Sequence, residues 1–230
     1  MRASLNYGQA EYQRAARAIA HRLREWLPVD PSSCCLDVGC GGGQMLFALE
    51  LLGFSDVVGI DVSAEQVALA RQVSDVVHEV EATSFLRDNP ERFDLITALD
   101  VVEHFRKDEL FDLLDGLYSA LKPGGRVILQ TPNAESPWGL MHRYHDITHE
   151  VAFDPYSLEH VLSLSGFCSF EARECGPYIH GPTSLARWAI WRSIRAGLYL
   201  WNLAEMGTPG SGVYTRVFVA KADKPLTTTT

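Results

Sequence analysis

Short apolar runs alternate along this chain with apolar residues spaced three or four apart, the rhythm of buried strands joined by amphipathic helices. The first helical period covers Ala10 to Leu27, with Ile19, Leu23, Trp26 and Leu27 on one side and Pro28 as its stop. A buried strand follows at Cys34–Val38, then the glycine cluster Gly39–Gly43, then a helical period from Gln44 to Leu52. Further strands are predicted at Val57–Val62, Val76–Val80, Phe93–Leu99, Arg126–Asn133, Cys168–Glu174 and Val213–Ala220. Ser63 with Gln66 three places on reads as a capping box. Asp108 is placed to cap an amphipathic helix through Leu121, stopped by Pro123-Gly124-Gly125, and Tyr156–Leu164 forms a shorter one ended by Gly166.

Two stretches break the rhythm. Asn133 to Phe153 has weak periodicity and gathers His142, His145 and His149 with Asp146 and Glu150. Thr183 to Glu205 is helical, with Trp188, Arg192, Arg195, Tyr199 and Asn202 on one narrow polar face and Ile190, Ile194, Leu198 and Trp201 opposite. Such a helix packs over the core or at a homodimer contact; the alternative is a membrane surface, with Arg at headgroups and Trp at the boundary.

Composition narrows the partners. The chain has 230 residues, with 20 basic against 29 acidic side chains and a net charge of −9, which disfavours a nucleic-acid partner. Its five cysteines form no CxxC pair, and an odd count without a signal peptide implies reduced thiols and a cytoplasmic location. No apolar run is long enough to span a membrane.

The chemistry is densest at Asp37-Val38-Gly39-Cys40-Gly41-Gly42-Gly43, where a carboxylate ends a strand and glycines open a helix. A carboxylate there repels pyrophosphate but suits an ammonium or a ribose hydroxyl, and no Lys-Ser/Thr pair follows as a Walker loop requires. Asp61 ends the next strand about 20 residues on, where nucleoside-binding α/β folds place a ribose-holding acid. With these residues the chain resembles the class I S-adenosylmethionine-dependent methyltransferases, from about Cys34 to Gly166 and more weakly to Ala220.

The resemblance implies a doubly wound, mostly parallel seven-stranded α/β sheet, Rossmann-like, with an antiparallel last strand and an inserted helical cap. Residues 1–33 are then an N-terminal cap helix and 34–230 the catalytic domain, with 134–155 and 180–210 as cap segments and a disordered tail from about 222. It implies S-adenosylmethionine as cofactor, held by Asp37, Gly39, Cys40, Gly41, Asp61, Val62, Glu81, Ala82 and Asp100, with Tyr7, Tyr12 and Arg14 as helix-borne candidates. The expected activity is O-methylation of a hydroxyl on a small polar molecule such as a sugar or surface-glycan precursor. His149 leads as base, oriented by Asp146, with His145 and His104 in reserve. No metal is expected, although His142, His145 and His149 with Asp146 offer ligands to one. N-methylation of a small amine, a non-catalytic cofactor-binding subunit and an NAD-type oxidoreductase remain alternatives. Asp37 before the glycines disfavours the last.

Overall fold

The computed structural model describes residues 9–23 and 25–226. Helix α1 (Gln9–Leu23) leads into β1 (Cys34–Val38), α2 (Gln44–Leu51), β2 (Asp56–Asp61), α3 (Ala64–Ala70), β3 (Val77–Glu79), α4 (Ala82–Arg87) and β4 (Phe93–Leu99). A 3-10 turn at Val102–His104 precedes α5 (Lys107–Ala120), β5 (Leu121–Pro132), α6 (Gly139–His145), α7 (Pro155–Leu164), β6 (Cys168–Glu174), α8 (Pro182–Met206) and β7 (Val217–Asp223).

The strands form one seven-stranded sheet in the order β3-β2-β1-β4-β5-β7-β6. The first five run parallel, and β7 lies antiparallel between β5 and β6. All five residues of β1 are buried, as a central strand covered on both faces requires. Cys34, Leu36 and Val38 point to the face covered by α5 and α7, and Cys35 to the face covered by α2. That alternation is the strand's two-residue period, and it divides the core into two layers. Leu36 is fully buried. Truncating it to Ala would cost about 2–5 kcal/mol, the usual range for a core leucine.

Several expected boundaries move. Helix α1 stops at Leu23, and Trp26 lies beyond it, buried, its Nε1 donating to Glu171 Oε2 at 3.1 Å. Helix α5 begins at Lys107 with Arg106, not Asp108, at its cap. The Lys122–Gly125 turn is absorbed by a register shift between Phe93 and Leu95 on β4, so β5 is assigned from Leu121. The last strand begins at Val217 and runs to Asp223, which corrects the disordered tail expected from about 222. Lys224 is buried, and its Nζ donates to Leu121 O at 2.8 Å.

Helix α8 packs against the body along one side only. Trp191, Arg195, Leu198 and Asn202 are half-buried, while Ile190, Ile194 and Trp201 are exposed. Arg195 pairs with Glu174 at 3.3 Å and donates to Gly212 O at 3.0 Å. The helix does not bury its apolar side as a whole: Leu198 turns inward beside Arg195 and Asn202, while Ile190, Ile194 and Trp201 stay outward.

Candidate active site

The strand order turns back between β1 and β4, and in open α/β sheets ligands bind at the carboxyl ends of the strands beside such a switch point. A cavity of about 350 Å³ lies there, lined by Val38, Gly39, Asp61, Val62, Glu81, Ala82, Asp100, Val101 and His104, among others. Six of the nine cofactor residues expected from the sequence thus converge on one cavity: Gly39, Asp61, Val62, Glu81, Ala82 and Asp100.

Gly39 needs both its freedoms. Its φ is +65°, and a Cβ there would stand 2.6 Å from Val101 Cγ2. Asp61 anchors the loop from the next strand: Oδ2 accepts from Gly41 N at 2.9 Å and Oδ1 from Ser63 N at 2.8 Å. Each carboxylate oxygen accepts more than one hydrogen bond, so the group keeps capacity for ligand hydroxyls. Tyr12 pins the loop from the other side, its hydroxyl donating to Gly42 O at 2.5 Å. Arg14 is exposed, and Tyr7 lies outside the described residues.

Three expected cofactor residues do not line the cavity. Asp37 is 3% exposed and accepts from Thr97 Oγ1 at 2.6 Å, so it braces β1 against β4. Burial pushes its carboxyl up to about 7, the Thr97 hydroxyl opposing this. Cys40 packs into the α2 side of the core, and its thiol is pushed up to about 12 by burial. Gly41 supplies its amide to Asp61. These residues shape the loop from beneath.

Glu81 lines the cavity as the N-cap of α4, its carboxylate accepting from Thr83 N and Ser84 N, both at 2.8 Å. That carboxylate, expected among the cofactor residues, is therefore already engaged in capping the helix. Asp100 adopts φ +57°, a left-handed conformation uncommon outside glycine and found at strained functional turns. Its Oδ2 accepts from Gln130 Nε2 at 2.8 Å. Its carboxyl is held above the ordinary range by the protein packed around it, against the Gln130 amide and the nearby Arg22.

The histidines sort themselves by distance. His104 lines the cavity, and His149 stands edge-on to it with ring centroids 4.8 Å apart. His145 is exposed at the end of α6 and joins neither. Asp146 does not reach His149 by a hydrogen bond; it accepts from Thr148 Oγ1 at 2.7 Å, and Thr148 Oγ1 lies 2.9 Å from His104 Nδ1. The one hydroxyl proton is given to Asp146, so His104 Nδ1 must carry the proton it shares with Thr148. That leaves Nε2 with the free lone pair. His149 Nδ1 lies 3.2 Å from His142 O, a pure acceptor, which fixes the same tautomer.

Glu103, not among the site residues expected from the sequence, is the unexpected member. It is 1% exposed, no hydrogen bond of good geometry reaches either carboxylate oxygen, and burial pushes it up to about 8, its own backbone amide and the nearby Thr131 hydroxyl opposing this only weakly. Ligand atoms of Glu103, His104 and His149 lie within 4.8 Å of one another. The signal available in the sequence was the adjacent Glu103-His104 pair after a strand; the spacing from His149 is set by the fold. His142, His145 and His149 are not grouped as a ligand set.

The fold agrees with comparisons to known proteins. The methyltransferase domain family matches residues 9–188. A mitochondrial ubiquinone biosynthesis O-methyltransferase of Rattus norvegicus is 39% identical over 109 residues, 43% of this chain and 30% of that protein. The ubiquinone biosynthesis O-methyltransferase of Chelativorans sp. is 37% identical over 103 residues, 43% of this chain and 40% of that one. The match thus spans less than half the length of these relatives. Among solved structures, a SAM-dependent methyltransferase from Archaeoglobus fulgidus superposes with a TM-score of 0.69 at 23% identity, covering 91% of this chain and 94% of that one. Phosphoethanolamine N-methyltransferase 2 of Haemonchus contortus, in complex with S-adenosyl-L-methionine, superposes with a TM-score of 0.59 at 18% identity, covering 91% and 52%. With the family matching most of its length, the seven-stranded fold in common and a cleft at the sheet's switch point, the chain belongs to the class I S-adenosylmethionine-dependent methyltransferases.

Proposed function

We propose that this methyltransferase acts on a hydroxyl oxygen of a small polar molecule, with His104 taking the proton and His149 beside it. The cofactor, when bound, supplies an electrophilic methyl group on a sulfonium with a good leaving group. The chain's own task is to hold the acceptor oxygen in line and to receive its proton. The Asp146–Thr148–His104 relay carries this reading, because it leaves a lone-pair nitrogen on a histidine that lines the cofactor cavity. A hydroxyl needs such a base near neutral pH, whereas a free amine or thiolate does not. The name of the O-methyltransferase relatives supports oxygen as the acceptor atom. The histidines and carboxylates gathered in 134–155 favour a hydroxyl-rich acceptor such as a sugar or glycan precursor. Five free thiols fit a reducing compartment and so a cytoplasmic site of action. Among the described residues no helix is long and apolar enough to cross a membrane.

Transfer of labelled methyl from S-adenosylmethionine to sugars, sugar phosphates and aromatic diols tests the reading. Label is expected on oxygen. His104→Ala should lower kcat by about 10²–10⁴-fold, the usual worth of a positioned base, with S-adenosylhomocysteine affinity unchanged. Label on the nitrogen of an amine acceptor, or full activity in that variant, would overturn it.

One observation favours a second reading. The unpartnered carboxylate of Glu103 beside two imidazole lone pairs is a donor set for a divalent cation, which would acidify a bound hydroxyl directly. Activity lost to a chelator and restored by added Mg²⁺ or Mn²⁺ would select this reading over the base.

A further inference from the structure

A cavity larger than the cofactor cleft opens on another side of the sheet edge. About 760 Å³ in volume, it lies beyond β5 under the start of α8, and its wall includes Arg22, Arg187, Arg216, Trp138, Trp191 and His142. The size suits a small-molecule site. Two hydrogen-bonded bridges join it to the cofactor cleft. Arg22 Nη1 donates to Gln130 Oε1 at 2.6 Å, and Gln130 Nε2 donates in turn to Asp100 Oδ2 at 2.8 Å. On the other flank His142 O receives Nδ1 of His149, the neighbour of His104.

The charge of this cavity opposes that of the chain. The protein carries −9 overall, yet among the described residues three arginines and no carboxylate line the wall. Neither Arg187 nor Arg216 is ion-paired with a carboxylate among the described residues. Arg216 lies 5.2 Å over the Trp138 ring. His142 Nε2 is buried without a hydrogen-bond partner. Burial and the Arg216 charge hold that imidazole below its usual range, hence neutral near pH 7. Guanidinium forks recognise carboxylate and phosphate oxygens in pairs, and indole faces take flat or apolar rings.

Resting on the methyl-transfer reading above, we propose that this cavity is the acceptor site and that the acceptor carries an anionic group, a carboxylate or a phosphate, held by Arg22, Arg187 and Arg216. Its ring lies against Trp138 and Trp191, and the reacting hydroxyl reaches past Gln130 and Asp100 toward His104. The unpartnered His142 nitrogen gains a partner from the same ligand.

Ligand-observed NMR on the chain saturated with S-adenosylhomocysteine tests this with benzoate, phenyl phosphate and the neutral benzamide as probes. Both anions should bind at least tenfold more tightly than benzamide, and the stronger of the two identifies the group as carboxylate or phosphate. Arg187→Ala and Arg216→Gln should each weaken anion binding at least fivefold while leaving S-adenosylhomocysteine affinity unchanged. Equal binding of benzamide, or anion binding insensitive to both substitutions, would overturn the proposal. Because anion binding is read directly, failure of the chain to bind S-adenosylhomocysteine would count against the methyl-transfer reading separately.

Discussion

Replacing Asp37 with asparagine removes a carboxyl that the fold keeps out of water. The side chain is 3% exposed, and its charged form is disfavoured by burial and by the nearby Asp61 charge. In the unfolded chain it titrates at the ordinary 3.8, in the folded protein at about 7. A carboxyl raised in the folded state contributes its full stability below pH 3.8 and loses it as pH rises through 7. At about 1.36 kcal/mol per unit, the gap between 3.8 and about 7 caps the loss at roughly 4 kcal/mol. Between pH 5 and 8 the share lost is roughly 2–3 kcal/mol. The substituted amide keeps an oxygen for the Thr97 hydroxyl and carries no charge at any pH. Relative to the wild type, Asp37→Asn should therefore gain roughly 2–3 kcal/mol of stability between pH 5 and pH 8. For a chain of this length, each kcal/mol moves Tm by about 2–4 °C, so the melting curves should separate by about 4–12 °C. Thermal unfolding by circular dichroism at pH 5, 6, 7 and 8 measures this. Parallel curves for the two proteins would refute the reasoning and show that Asp37 is ionised in the fold.

Asp61→Ala should weaken S-adenosylhomocysteine binding by about 1.5–3 kcal/mol, the worth of a charge-assisted hydrogen bond; calorimetry showing unchanged affinity removes Asp61 from the cofactor site. Gly39→Ala puts a methyl group 2.6 Å from Val101 Cγ2 at a positive φ. It should cost about 1–3 kcal/mol of stability and narrow the cofactor cavity, both visible in a thermal shift with and without ligand. Thr148→Val breaks the link between Asp146 and His104 without touching the cofactor cavity. A drop in kcat of about tenfold is expected, a fraction of the range for the base itself, with cofactor affinity constant; wild-type kcat would dismiss the relay.

What the sequence determined by itself was local. Each strand and its following turn were readable because buried strands need unbroken apolar runs, and because the chain turns at Gly39–Gly43 and Gly124. The conjunction of Asp37, the glycines and Asp61 pointed to the cofactor for the same reason: ligand loops in this fold lie close along the chain. The grouping of residues proposed for the acceptor side exists only in the tertiary structure. His104 and His149 are far apart along the chain, and only the route from the 3-10 turn over β5 and back through α6 brings their rings edge to face. Asp146 was placed with His149 by proximity in sequence, but Thr148 turns its charge to His104 instead. Arg22, Arg187 and Arg216 come from three distant segments, and no spacing rule joins them. The direction in which α8 turns its apolar side was likewise not readable. A helical wheel gives the faces, but Arg195 and Glu174, paired across the fold, choose which one meets the body.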